Sequence, residues 1–133
     1  MRLTRMQAGA VLAAALLVLG ATTAAHHSNV TFYDFDKSFE VSGTVVQLRL
    51  INPHINLRVE ATDAAGQKVL WVFDGPNASA SRANGWNQSI LMPGEKVKVV
   101  AHPARNPNFK GGYGERVIKA DGKVLDFGGQ ANN

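Results

Sequence analysis

Phe39-Glu-Val-Ser-Gly-Thr-Val-Val-Gln-Leu-Arg-Leu-Ile-Asn-Pro-His-Ile-Asn-Leu-Arg-Val-Glu-Ala61 is the stretch that decides how this chain folds. It reads as two strands joined by a tight turn at Ile51-Asn52-Pro53-His54. In the second strand Ile55, Leu57, Val59 and Ala61 share one face, and Asn56, Arg58 and Glu60 share the other. That period of two marks a half-buried strand. The first strand alternates in two opposite phases. Phe39, Val41, Gly43 and Val45 point one way, and then Val46, Leu48 and Leu50 take over. A one-residue slip of this kind requires a bulge, and nearby Gly43 offers backbone freedom for it. A long, bent first strand serving both sides of a sheet is how small barrels close.

Outward from this hairpin, the signals are those of further short strands. Asp63-Ala64-Ala65-Gly66 is a turn. Lys68 to Phe73 is a third strand, with Val69, Trp71 and Phe73 on one face and Leu70 and Val72 on the other. Two apolar faces predict a central or covered strand. Asn77 to Trp86 predicts a short helix capped by Asn77 and stopped by Gly85, with Trp86 plugging a barrel end. Lys96 to Ala101 is a fourth strand, with Val97, Val99 and Ala101 inward. His102 to Gly114 is rich in Pro, Asn and Gly and predicts an exposed loop. Glu115 to Lys119 and Lys123 to Phe127 predict a last hairpin around Ala120-Asp121-Gly122. Three strands, a short helix and then two or three more strands predict an all-β fold, a small OB-type barrel. A β-sandwich is the alternative order of short strands.

The chain has 133 residues, and the expected organisation is a signal peptide over 1–25 followed by one domain over 26–133. Arg2 and Arg5 supply the positive start, Ala8 to Ala21 the apolar core, and Thr22-Thr23-Ala24-Ala25 the small residues for cleavage. The apolar core is shorter than the roughly 20 residues that span a bilayer, so no stable membrane insertion is expected after cleavage. Within the domain, 26–38 is expected to be an extended arm packing Phe32 and Phe35 onto the body, and 128–133 a frayed tail. The leader takes two of the 14 basic residues, leaving 12 against 10 acidic ones, a formal charge of +2. That is no footprint for nucleic acid. There is no cysteine, so thiolate chemistry is excluded. A disulfide-free exported domain suits a bacterial periplasm.

Candidate chemistry lies with four histidines, His26, His27, His54 and His102. Cleavage after Ala25 would leave His26 first, its amine and ring able to grip a metal ion, with His54 completing a brace. Cleavage after Ala24 would leave His27 third, and amine, two amides and imidazole could wrap Cu(II) or Ni(II) in a plane. Nitrogen ligands suit Cu(II), and an α-amine with a reference pKa of about 7.7–8.0 deprotonates far more readily than lysine. The expected metal residues are therefore His26, His27 and His54, with copper first. The plainer readings are a polar tail for the histidine pair and a backbone hydrogen bond for His54. His102 reads as structural. Asp34 and Asp36 are candidate carboxylates that more commonly stay solvated.

Arg58, Trp71 and Trp86 are the candidate residues for a non-metal ligand, since OB barrels use the face of their second and third strands. Tryptophans at such positions more often pack in a core. No nucleophile elbow, zinc-protease helix or phosphate loop occurs, and Gly111-Gly112-Tyr113-Gly114 reads as a flexible loop. The expected function is a periplasmic metal-binding module without enzymatic activity. A ligand- or protein-binding module without metal is the second reading, and an unrecognised enzyme is the third.

Several short marks, in order, resemble a family of secreted bacterial proteins, domain of unknown function 6152. They are His26-His27-Ser28, Tyr33-Asp34 with Lys37, Gly43-Thr44-Val45, Asn52-Pro53-His54, Trp71, Gly85-Trp86, Leu91 with Pro93-Gly94, His102-Pro103 and Ala120-Asp121-Gly122-Lys123. The resemblance implies export and implies no activity. The chain departs from it at Ser79 and Ser81, and in a longer Asn106 to Gly114 loop.

Overall fold

Alternation becomes architecture in the computed structural model, which describes residues 28–128. Two compact units divide the chain after Phe32. The described part of the first is α1 (Ser28–Phe32), a single helical turn in which Phe32 is 64% exposed. Within the extended arm expected here, Ser28–Phe32 is helical instead.

The second unit, from Tyr33 onward, holds β1 (Phe39–Arg49), β2 (Asn56–Thr62), β3 (Lys68–Asp74), α2 (Ala78–Ala83), β4 (Lys96–Pro103), β5 (Gly111–Lys119) and β6 (Val124–Asp126). β1 pairs with both β2 and β4, β2 with β3, and β4 with β5, all antiparallel. Parallel pairing of Val72, Phe73 and Asp74 with Gly111, Gly112 and Tyr113 then joins β3 to β5 and closes a five-stranded barrel. The helix lies between β3 and β4, as an OB-type barrel requires. β6 extends β5 as a hairpin outside that ring.

The phase switch in β1 is the expected bulge, but it falls at Val46, which was expected to face inward, and Gly43 plays a different part. Val45 pairs with Val59 and Gln47 with Arg58, so Val46 is the extra residue, and it is 44% exposed. Val41, Val45, Leu48 and Leu50 are all buried, on either side of the slip. Gly43 serves space instead of flexibility. A Cβ there would lie 2.4 Å from the Glu60 carbonyl oxygen and 2.6 Å from a Val59 methyl.

The core is filled from inward positions of every strand, with Leu57, Val59, Phe73, Val99 and Val117 fully buried. Each such side chain contributes about 1.5–3 kcal/mol relative to exposure. α2 is capped as its sequence demands, the Asn77 side chain accepting from the Ala80 N–H at 2.8 Å. Ser81 is wholly buried, its hydroxyl donating to the Asn77 carbonyl. Trp86 follows the helix, its ring 4.8 Å from that of Phe127. β3 is less covered than two apolar faces suggested, since Leu70 is 47% exposed.

The predicted His102–Gly114 loop is overturned at both ends. β4 runs on to Pro103, and Gly111 to Gly114 are buried strand residues. Each glycine is set by close approach. A Cβ on Gly111 would lie 2.0 Å from the Val72 carbonyl oxygen, on Gly112 2.2 Å from that of His102, and on Gly114 2.4 Å from the Phe127 ring. The glycine run is the seam of the barrel.

Candidate functional site

The connection from β1 to β2 is longer than the four-residue turn expected, since β1 ends at Arg49 and β2 begins at Asn56. It contains a cis peptide bond at Asn52–Pro53. Its far end is held rigidly. Wholly buried Ile55 donates its N–H to the Pro76 carbonyl at 2.8 Å and accepts from the Gly75 N–H at 3.0 Å. The Asn52 side chain accepts from the Ala78 N–H at 3.1 Å, tying the loop to the start of α2.

His54 stands between these ties, half-buried, with Nδ1 3.1 Å from the Gly75 carbonyl oxygen. A carbonyl only accepts, so Nδ1 carries the hydrogen. In that tautomer the ring's lone pair is at Nε2. Histidines that bind metal commonly present one nitrogen while the other donates to a carbonyl in this way.

One residue before Gly75, Asp74 gathers a second set of contacts. The Tyr33 hydroxyl donates to Asp74 Oδ2 at 2.6 Å, and Asn56 Nδ2 donates to Oδ1 at 2.9 Å. Arg58 Nε in turn donates to Asn56 Oδ1 at 3.3 Å. The Tyr33 ring lies 5.6 Å from that of Tyr113, the register partner of Asp74 on β5. Burial, and then the Asp74 carboxylate, push the Tyr33 phenol well above its ordinary range; burial and Asp74 raise Tyr113 in the same direction. Both phenols therefore stay protonated and can donate. Tyr33 and His54 are thus fixed to adjacent residues, Asp74 and Gly75.

Phe35 packs as expected, 5.0 Å from the His102 ring and 5.5 Å from that of Tyr113. His102 Nδ1 donates to the Lys37 carbonyl at 2.8 Å, which pins the segment after Tyr33 to β4. Asp34 is engaged by Lys37 at 2.9 Å, and that hydrogen bond holds its carboxyl below the usual range. Of the three ligand candidates, Arg58 belongs to the outward network, Trp71 points inward beside Phe39 and Phe73, and Trp86 is only 2% exposed. They do not converge on one surface. His26 and His27 lie outside the described residues, as do the predicted leader and residues 129–133.

Among the described residues no group of three or more His, Asp or Glu side chains is placed to hold a metal ion. Nor is any described helix long and apolar enough to cross a membrane. Sequence reasoning missed Tyr33 and Asp74. An acid closing the apolar run Val69 to Phe73 was the available signal, but its tyrosine partner is 41 positions away.

The family of unknown function DUF6152 matches residues 13–113, and the chain belongs to it. The match ends within β5, so the rest of that strand and β6 lie beyond it. No curated protein and no solved structure matches the chain.

Proposed function

We propose that this protein is an exported, periplasmic metal-binding module that holds a late transition metal, copper first, on imidazole and amine nitrogen. The observation that carries the reading is the state of His54, whose Nδ1 is committed to the Gly75 carbonyl and whose Nε2 lone pair is left available. The remaining ligands are assigned to His26, through its ring and the amine freed by cleavage, or to His27 when cleavage falls one residue earlier. Nitrogen donors in this number favour Cu(II) over Zn(II) at equal availability. The module carries its metal and makes or breaks no bond.

Calorimetric titration of the processed protein with Cu(II), in competition with a chelator of known affinity, tests the reading. The expected result is one tight site per chain. His54→Ala is expected to weaken it by tenfold or more, and His26→Ala with His27→Ala to abolish it. Affinity unchanged by these substitutions would dismiss the proposal.

A further inference from the structure

β1 is shared between two neighbours, and this sharing opens a cleft. Its register with β2 stops at Thr44↔Glu60, while its earlier residues Ser42 and Gly43 pair only with β4. Where β1 parts from the end of β2 there is an open cleft of about 590 Å³. Its polar lining comes from four strands: Ser42 and Thr44 of β1, Glu60 and Thr62 of β2, Lys68 of β3 and Lys96 of β4. Gly43 lets β1 approach β2 closely beside the cleft, since a Cβ there would collide with the Glu60 carbonyl and the buried Val59 side chain.

The charges in the cleft are not equivalent. Lys68 is matched to Glu60 at 2.9 Å. Lys96 has no carboxylate within ion-pair distance among the described residues; its ammonium donates to the Thr44 hydroxyl at 2.6 Å. The cleft therefore offers one cation without a counter-charge, three hydroxyls that donate or accept, and an oriented carboxylate that only accepts. The volume falls within the range of small-molecule sites.

We propose that this cleft binds a small hydroxylated carboxylate. The ligand's carboxylate meets the Lys96 ammonium, its hydroxyl donates to Glu60, and Ser42 and Thr62 satisfy the remaining oxygen atoms. β2 runs from Asn56 to Thr62, so at about 3.4 Å per residue the cleft and His54 lie near opposite ends of a strand about 20 Å long. The proposal thus uses none of the residues of the metal reading and stands or falls apart from it.

The test is an amide-resolved NMR titration of the metal-free protein with malate, with succinate, which lacks the hydroxyl, and with inorganic phosphate. Malate is expected to give saturable shifts confined to Ser42–Thr44, Glu60–Thr62 and Lys96, with succinate at least fivefold weaker. Lys96→Gln is expected to weaken malate tenfold or more while leaving distant amides unmoved. Thr44→Val, which keeps the side-chain shape, is expected to weaken it severalfold and decides the matter if Lys96→Gln fails to fold. Absence of saturable shifts, malate binding indifferent to the substitution that folds, or phosphate binding as tightly as malate would overturn the proposal.

Discussion

Tyr33 and His54 owe their positions to single atoms on adjacent residues, Asp74 Oδ2 and the Gly75 carbonyl oxygen. The Tyr33 hydroxyl bond to a carboxylate is of the stronger, charge-assisted kind. Tyr33→Phe is therefore expected to lower stability by about 2 kcal/mol in urea unfolding, and a loss below a few tenths would remove Asp74 as the anchor. The pH dependence follows from the direction of the phenol's displacement. Burial, and then Asp74, favour the protonated form in the fold, so this contribution is complete below the unfolded phenol value of about 10 and drains away as pH rises through the folded one. Stability should fall above about pH 10, and less steeply in Tyr33→Phe. Part of the slope should survive, because Tyr113 is displaced in the same direction. Identical alkaline slopes in the two proteins would contradict the assignment.

At the scale of elements, the barrel depends on a strand that composition disguises. Gly111 to Gly114 resembled a loop because glycine usually marks chain flexibility, yet here it permits β5 to approach β3, His102 and Phe127. Gly112→Ala is expected to cost about 1–3 kcal/mol or more, as overpacking does. Gly66→Ala is the informative contrast: that turn glycine has φ +79° and nothing within 4 Å of a Cβ, so its cost is backbone strain alone. α2 gives a second, milder case, since Asn77→Ala removes the cap on the Ala80 N–H and should cost about 1 kcal/mol. Thermal unfolding of the three variants should rank Gly112→Ala as the least stable. These contrasts mark where sequence reading succeeded. Period-two alternation located β2 and β4, and the Asn77 and Gly85 signals bounded α2, because both are local. The seam was hidden because its cause is a neighbour far along the chain.

At the largest scale, the unit from Tyr33 onward is a disulfide-free barrel whose first strand belongs to both halves of the ring. That much was legible, because a long strand with two phases has few other ways to bury both. The site was legible only as chemistry. Asn52-Pro53-His54 showed an imidazole at a strand connection, but nothing nearby in sequence announced Gly75 as its partner, or Asp74 as the anchor of Tyr33. Likewise Trp71 and Trp86 carried the right side chains for a ligand surface, while packing placed one inward and the other at the buried end against Phe127. Family membership supplies no activity, so the proposed function is argued from the orientation of His54 and from the histidine pair in the sequence. The most direct measurement is electron paramagnetic resonance of one equivalent of Cu(II) on the mature protein, with its mass determined on the same sample. The account predicts a chain beginning at Ala25 or His26 and, for the form beginning at His26, a type-2 spectrum whose nitrogen couplings lose one imidazole in His54→Ala. A chain beginning beyond His27, or a spectrum of the His26 form that His54→Ala leaves unchanged, would contradict it.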